Sequence, residues 1–517
     1  MTTIERDVPA GSPDDESYNL AARVYDHEVV ALESDPEAVP AASRAYQYNL
    51  AAQVYGLQPR ALVPDATTEV AAPPATSNGH ADTNGHAPSN GAVAVARPQG
   101  PVDGGGSGRT RTFDAFAVSG FRWFFVAMLG QMASMNMQML VRGYLVFLLT
   151  GSYAALGTIS LANAIPGLSL SLVGGVLADW AKQKKYVVQA GQLLNAINAL
   201  AVALLLYFDM LTFTHLFIAS LVQGTIQALM MPARQSMIPE VVGLKRLMNA
   251  VALNSAGMNS MRLLAPAAGG FLLAAFGPHW IYFMMTGLYL FASVFLLPVP
   301  KVSEADVAAA AARRRSRGGG GLSQMIDGVR YIAHDSTLRT ILGVNVLLIV
   351  MAMPYIFLLP GFVADVLNEG PSKLGLLLSA TGAGSLFGAL IIASLPPKRR
   401  GLLFLLSSAA QGVGLLAFSA STWFWVTMPI MVFMGIGQAG RQSFSNVLVQ
   451  TYVEDDYRGR VMAVYMLQFS LTSFGTFFVG LLAAVVGAQI ALGATSVAMI
   501  VIALGALVFA PSLRKLD

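Results

Sequence analysis

The chain has no cysteine among its 517 residues. That absence excludes a disulfide framework, a thiolate metal site and a cysteine nucleophile. Charge is scarce as well. Asp, Glu, Lys and Arg make up 12% of the chain, against about 25% in soluble domains. Hydrophobic residues reach 55%, and mean hydropathy is +0.58. A soluble fold of this length would divide into roughly three or four domains, each needing a polar surface that this composition does not supply. Lipid is the solvent that fits. No two of the six histidines have metal-ligand spacing on a helix, so neither a metal nor any other cofactor is expected. The first residues lack the basic start and apolar run of a signal peptide. No phosphate-binding loop of the GxxxxGK[ST] kind and no catalytic constellation appears, so the chain does not read as an enzyme.

The charge that is present divides into two unlike parts. Residues 1–119 hold 7 Lys/Arg and 15 Asp/Glu, whereas 120–517 hold 25 and 13. The basic residues fall in short runs between apolar stretches, which argues against nucleic acid as a partner. Within the acidic part, residues 1–115, Tyr18-Asn-Leu-Ala-Ala-Arg-Val-Tyr25 recurs as Tyr48-Asn-Leu-Ala-Ala-Gln-Val-Tyr55. Each copy places Leu and Val one helical turn apart, so the pair can form short amphipathic helices that dock a protein partner. From Val63 to Gly108 the chain is rich in Ala, Pro, Gly, Asn and Ser, too polar to bury a core. The extension is expected to be largely disordered.

From Phe121 onward come twelve apolar stretches long enough to span a bilayer: 121–149, 153–177, 186–208, 212–233, 249–275, 279–299, 338–364, 372–395, 401–420, 423–446, 460–486 and 488–510. These spans are numbered 1–12 below. They predict an all-α membrane protein with six helices in 116–299, a cytoplasmic linker over 300–337 that carries the Arg313-Arg314-Arg315-Ser316-Arg317 run, and six helices in 338–517. Transmembrane strands would be half as long and would alternate.

Lys182, Lys184, Lys185, Arg234, Lys245, Arg246, Lys398, Arg399, Arg400, Arg441, Arg458, Arg460, Arg514 and Lys515 all fall on one side of the spans, and Lys373 alone on the other. The positive-inside rule then predicts both termini in the cytoplasm of a multi-pass protein of the cytoplasmic membrane. The two sets of six also repeat. Gly270-Phe-Leu-Leu-Ala-Ala-Phe-Gly277 answers Gly480-Leu-Leu-Ala-Ala-Val-Val-Gly487, Leu156-Gly157 answers Leu374-Gly375, and Arg234-Gln235-Ser236 answers Arg441-Gln442-Ser443. Parallel repeats of this kind place substrate at their interface.

Gly174-Gly-Val-Leu-Ala-Asp-Trp-Ala-Lys-Gln-Lys-Lys185 resembles the signature loop of the major facilitator superfamily. Leu149-Thr-Gly-Ser152, Met231-Pro-Ala-Arg-Gln-Ser-Met-Ile-Pro-Glu240, Asn249-Ala-Val-Ala-Leu-Asn-Ser255 and Ala265-Pro-Ala-Ala-Gly-Gly270 are similar to the branch containing enterobactin exporters and macrolide-efflux proteins. The resemblance covers residues 115–512. This chain has Trp180 where the signature has arginine, Ala265 where the antiporter motif has glycine, and Met135-Asn136 where the branch often has an acid. The resemblance implies a secondary active exporter that moves a siderophore or lipophilic drug by alternating access, coupled to protons. An importer of the same fold, or a receptor signalling through the extension, would share most of these features.

No Asp or Glu occupies the centre of any span. The resemblance places spans 1, 4, 7 and 10 around the central cavity. That implies substrate-facing roles for Gln131, Gln138, Arg142, Gln223, Gln227, Asn345 and Gln438, joined by Arg262 near mid-membrane in span 5. Arg234 and Arg441 read as snorkelling anchors. Pro266, Gly269 and Gly270 form the antiporter-like motif. Gly175 and Asp179 are expected to latch span 2 to the start of span 11, with Lys184 and Lys185 facing Glu454-Asp455-Asp456.

Overall fold

A computed structural model describes residues 113–181, 183–243, 246–301, 321–396, 398–454 and 456–517. The twin repeat and linker of the extension and the Arg313 run lie outside these residues, as do Lys182, Pro397, Asp455 and the side chains of Gly175 and Asp179.

Spans 1–6 form α1 (Ser119–Thr150), α2 (Tyr153–Trp180), α3 (Lys184–Tyr207), α4 (Phe213–Val242), α5 (Leu247–Phe276) and α6 (Pro278–Phe295). A further helix, α7 (Gly321–His334), precedes span 7, which is broken into α8 (Ser336–Ala352) and α9 (Pro354–Asp365). Spans 8–12 are α10 (Pro371–Ser394), α11 (Arg400–Ala420), α12 (Phe424–Tyr452), α13 (Arg458–Val486) and α14 (Ala488–Phe509), followed by the short α15 (Pro511–Arg514). No strand occurs among the described residues. Nine helical segments there are long and apolar enough to cross a membrane. The other three of the twelve, α5, α6 and α12, have 30, 18 and 29 residues and carry groups such as Arg262, His279 and Arg441 that lower their hydropathy.

Local chemistry sets the helix ends. Ser152 Oγ accepts from Ala155 N at the start of α2, and Asp335 Oδ1 accepts from Thr337 N and Leu338 N at the start of α8. Thr212 and His215 form a reciprocal cap on α4. The repeated motif ends on Gly277 and Gly487, at φ 80° and 85°. Only glycine takes these values without strain, and each turns the chain directly into the next helix.

The two sets of six pack by the same rule. In the first, α2 packs on α4, α3 on α4 and α6, and α1 on α5 and α6. In the second, α10 packs on α12, α11 on α12 and α14, and span 7 on α13 and α14. The predicted pseudo-symmetric pair of six-helix halves is what the chain forms.

Within the linker, residues Gly321–His334 are helical. Its end forms α7, which lies against α13. Tyr331 stacks on Tyr457 at 4.2 Å, and Asp327 Oδ2 lies 3.7 Å from Arg460 Nη1. A short helix of low mean hydropathy escapes a search for membrane spans, although its 3.6-residue periodicity was there to read.

Candidate functional site: an interface sealed at one end

The basic loops mark one end of the bundle; the opposite end is where α2 and α10 begin and α5 and α13 finish. At that opposite end the halves touch through the repeated glycines, with partners exchanged. A Cβ on Gly157 of α2 would lie 2.9 Å from Phe477 Cα and 3.1 Å from Thr476 O on α13. One on Gly480 of α13 would lie 2.7 Å from Tyr153 O and 3.2 Å from Gly157 Cα. Gly270 of α5 meets Gly375 of α10 in the same way, at 2.9 Å from its Cα, and Gly375 faces Pro266 O in return. Motifs that repeat in sequence thus pair across the interface, α2 with α13 and α5 with α10. The antiporter-like Pro266 and Gly270 serve this seam, while Gly269 packs on Met137 of α1 within the first half.

A third contact closes the same end. A Cβ on Gly143 of α1 would come within 2.8 Å of Pro360 Cγ on α9, and Gly361 lies under the rings of Tyr153 and Phe147. Tyr153 Oη donates to Asp365 Oδ2 at 3.1 Å, joining α2 to α9. Sequence reading missed this pair.

The eight residues expected to face substrate separate into two groups. Gln131, Gln138, Gln223, Asn345 and Gln438 are buried between helices. Gln223 Nε2 donates to Gln138 Oε1 at 2.6 Å, and Tyr289 Oη donates to the same oxygen at 3.0 Å. Asn345 Nδ2 donates to Gln468 Oε1, and Tyr355 Oη donates to Gln438 Oε1 at 3.2 Å. Gln131 Oε1 accepts from Arg234 Nη1 at 3.4 Å. These five bind helix to helix, because an amide in a dry bundle finds its partner on the neighbouring helix. Arg142, Gln227 and Arg262 keep accessible surface. Arg142 donates through Nη1 to Gln223 Oε1 just beneath the Gly143 contact, and the hydroxyls of Tyr282 and Tyr289 are its electrostatic neighbours. Gln227 Nε2 lies 3.0 Å from Met135 Sδ. Arg262 is exposed and has Tyr355 of α9 as its electrostatic neighbour, which puts it at the interface between the halves. Among the described residues neither Arg142 nor Arg262 has a carboxylate at ion-pair distance.

Two further expectations are corrected. Arg234 and Arg441 do not snorkel: they are 6% and 1% exposed. Arg234 is held by Gln131 Oε1 and the sulfurs of Met132 and Met231. Arg441 Nε donates to Gln411 Oε1 at 3.0 Å, while its Nη2 has no hydrogen-bond partner. Helix ends extend past the apolar stretches from which these positions were judged, so a residue at an apparent edge lies inside the bundle. Nor, in this structure, are Glu454 and Asp456 the partners of Lys184 and Lys185. Lys184 pairs with Glu240, and Lys185 Nζ donates to Val299 O at 2.8 Å and Leu297 O at 3.4 Å. The segment following α6 is nearer to them than α13.

Two pseudo-symmetric six-helix bundles that meet through paired glycines define a multi-pass membrane transporter. Residues 110–517 match the model of the family described as transmembrane secretion effector, and the chain belongs to that family of the major facilitator type. It is 23% identical over 353 residues to the staphyloferrin A transporter of Staphylococcus aureus, covering 66% of this chain and 84% of that protein. It is 25% identical over 313 residues to the enterobactin exporter EntS of Shigella boydii, covering 57% and 69%. The fold is similar to the crystal structure of the nucleoside transporter NupG, with TM-score 0.60 at 13% identity over 77% of this chain and 100% of that one.

Proposed function

We propose that the protein exports an organic anion, of the siderophore kind, across the cytoplasmic membrane by alternating access, coupled to protons. Arg142 and Arg262 carry this reading: a cation in the membrane is costly and calls for an anionic counterpart, which a carboxylate- or catecholate-bearing substrate brings. The siderophore relatives support the substrate class, and the exporter among them supports the direction. No covalent step is involved. With both termini in the cytoplasm, as the basic loops imply, the sealed end faces outward, which leaves the cytoplasm as the side from which an exporter loads. The proposed Asp179 latch then belongs to the opposite, outward-open state.

Cells from which the gene is deleted are expected to retain the substrate inside, measured as intracellular siderophore against the parent strain. Lower uptake of the same compound after deletion would reverse the direction assigned. Arg262→Gln is expected to weaken binding of an anionic substrate by about tenfold or more, since a hydrogen bond to a charged group contributes about 1.5–3 kcal/mol. A neutral analogue compared in the same binding assay should change little. Equal loss for both, with lowered thermal stability, would make Arg262 a structural residue.

A further inference from the structure

The two seams between the halves differ in what lies beyond them, toward the basic end. In one, the face of α5 that carries Gly270, Pro266 and Leu263 meets the face of α10 that carries Gly375, Ser379 and Gly382. Ser379 Oγ donates to Leu263 O at 2.6 Å, and a Cβ on Gly382 would lie 3.1 Å from Leu263 Cα. At the next helical turns the same faces continue as Asn259, Ala256 and Ala252 on α5, and as Leu386, Ala389 and Ala393 on α10. All six are exposed. Along this stretch Gly384 and Gly388 of α10 rest on Val432 and Ile436 of α12, and Gly257 of α5 on Met128 and Phe125 of α1. Each helix thus keeps its neighbour within its own half, and the two faces part beyond Leu263 and Gly382 to leave a slit.

The seam between α2 and α13 is bridged instead. Its contacts extend to Gly167, where a Cβ would stand 3.6 Å from Ser470 Oγ, and α7 then packs on both α2 and α13. The opening is therefore one-sided, between α5 and α10. Its walls are unlike. On α10, Leu386, Leu390 and Phe387, exposed by 44%, 62% and 57%, lead round the helix from the slit toward lipid. On α5, exposed Ser255 and Asn259 lead up to Arg262. Arg262 stands where the slit closes, since its carbonyl oxygen lies 3.4 Å from the Cβ position of Gly382.

We propose that this slit admits an amphiphilic anion sideways from the cytoplasmic leaflet, its alkyl or acyl chain along α10 and its charged head at Arg262. The proposal rests on the export reading above and narrows its substrate class. An apolar chain covers the leucines that water would otherwise meet, which favours a chain-bearing occupant over a freely soluble one. The cation supplies the counter-charge that lets an anionic head leave the interface for the middle of the membrane. Charge and apolar surface thus sit at opposite ends of one opening, as they do in the molecule that would use it.

The test uses the full chain in phosphatidylcholine vesicles, with hexadecanoate that carries a diazirine in its chain, at a pH where the acid is ionised. After illumination, adducts are expected on 386–393 of α10 and 252–259 of α5 several-fold more densely than at Val501 and Val508, which are 62% and 66% exposed on α14. Unlabelled hexadecanoate should compete them away. The methyl ester of the same probe should lose most of this excess, a comparison that needs no variant. Arg262→Gln should weaken competition by hexadecanoate about tenfold. Adducts no denser in the slit than on α14 would overturn sideways entry, and would leave export of a soluble anion standing. An excess equal for acid and ester, and unchanged in Arg262→Gln, would overturn the anionic head and with it the role given to Arg262 above.

Discussion

Leucine in place of Gly157 is expected to stop transport in a chain that still folds and inserts. The substitution strains one state only, the one in which α2 and α13 touch: even a Cβ would meet Phe477 Cα at 2.9 Å and backbone cannot yield as a side chain can. Overpacking of this kind costs about 1–3 kcal/mol, which moves a two-state equilibrium by about 5–150-fold. The population should shift toward molecules open at the sealed end. The absence of cysteine makes the measurement direct, because a cysteine introduced at Gln227 is the one thiol available to a membrane-impermeant reagent. Labelling from the sealed side should rise in Gly157→Leu. If it does not, while transport continues at the parental rate, the glycine seam is only packing.

Removing the partner of a buried arginine should cost more than removing the arginine as well. Gln411→Leu takes from Arg441 the acceptor of its Nε at 3.0 Å, and the guanidinium, 1% exposed, has no route to water. Stranding a buried charge in this way costs about 3–5 kcal/mol, whereas an apolar replacement of the whole group is often close to neutral. Gln411→Leu alone is therefore expected to lower stability sharply, and adding Arg441→Met should recover most of the loss. Chemical unfolding of the detergent-solubilised protein gives both values. A double variant no more stable than Gln411→Leu would show that the arginine itself holds α11 to α12.

Much of the fold was legible because hydropathy and charge are properties of a single segment. The stretch 186–208 became Lys184–Tyr207, and 153–177 became Tyr153–Trp180. The repeats marked Gly157, Gly270, Gly375 and Gly480 as special, and these are the glycines at the seam. The site was less legible, since helical periodicity tells which residues share a face and not what that face meets. Gln138 and Gln223 were both identified, yet they meet each other across 85 positions in place of a solute. Arg234 and Arg441 looked like edge residues because a run of apolar letters ends before the helix does. Tyr153 and Asp365 come from different halves, and nothing local in either stretch announces the other.

Span 7 is broken at Met353, where Pro354 starts α9 and has no N–H to return to Val350 O. That carbonyl lies 2.8 Å from where a Cβ on Gly475 would stand, so α13 gives it room instead of a bond. The 12 residues of α9 beyond the break, a rod about 18 Å long, carry Pro360, Gly361 and Asp365, which are span 7's whole share of the sealed end. The Asn345–Gln468 bond that fastens span 7 to α13 lies on the other side of the break. A rod set off from its span by a proline is free to move apart from the rest of that span. If it swings aside while the paired glycines stay shut, water passes the sealed end before a bulky solute can, and hydration and passage become separable events with different barriers.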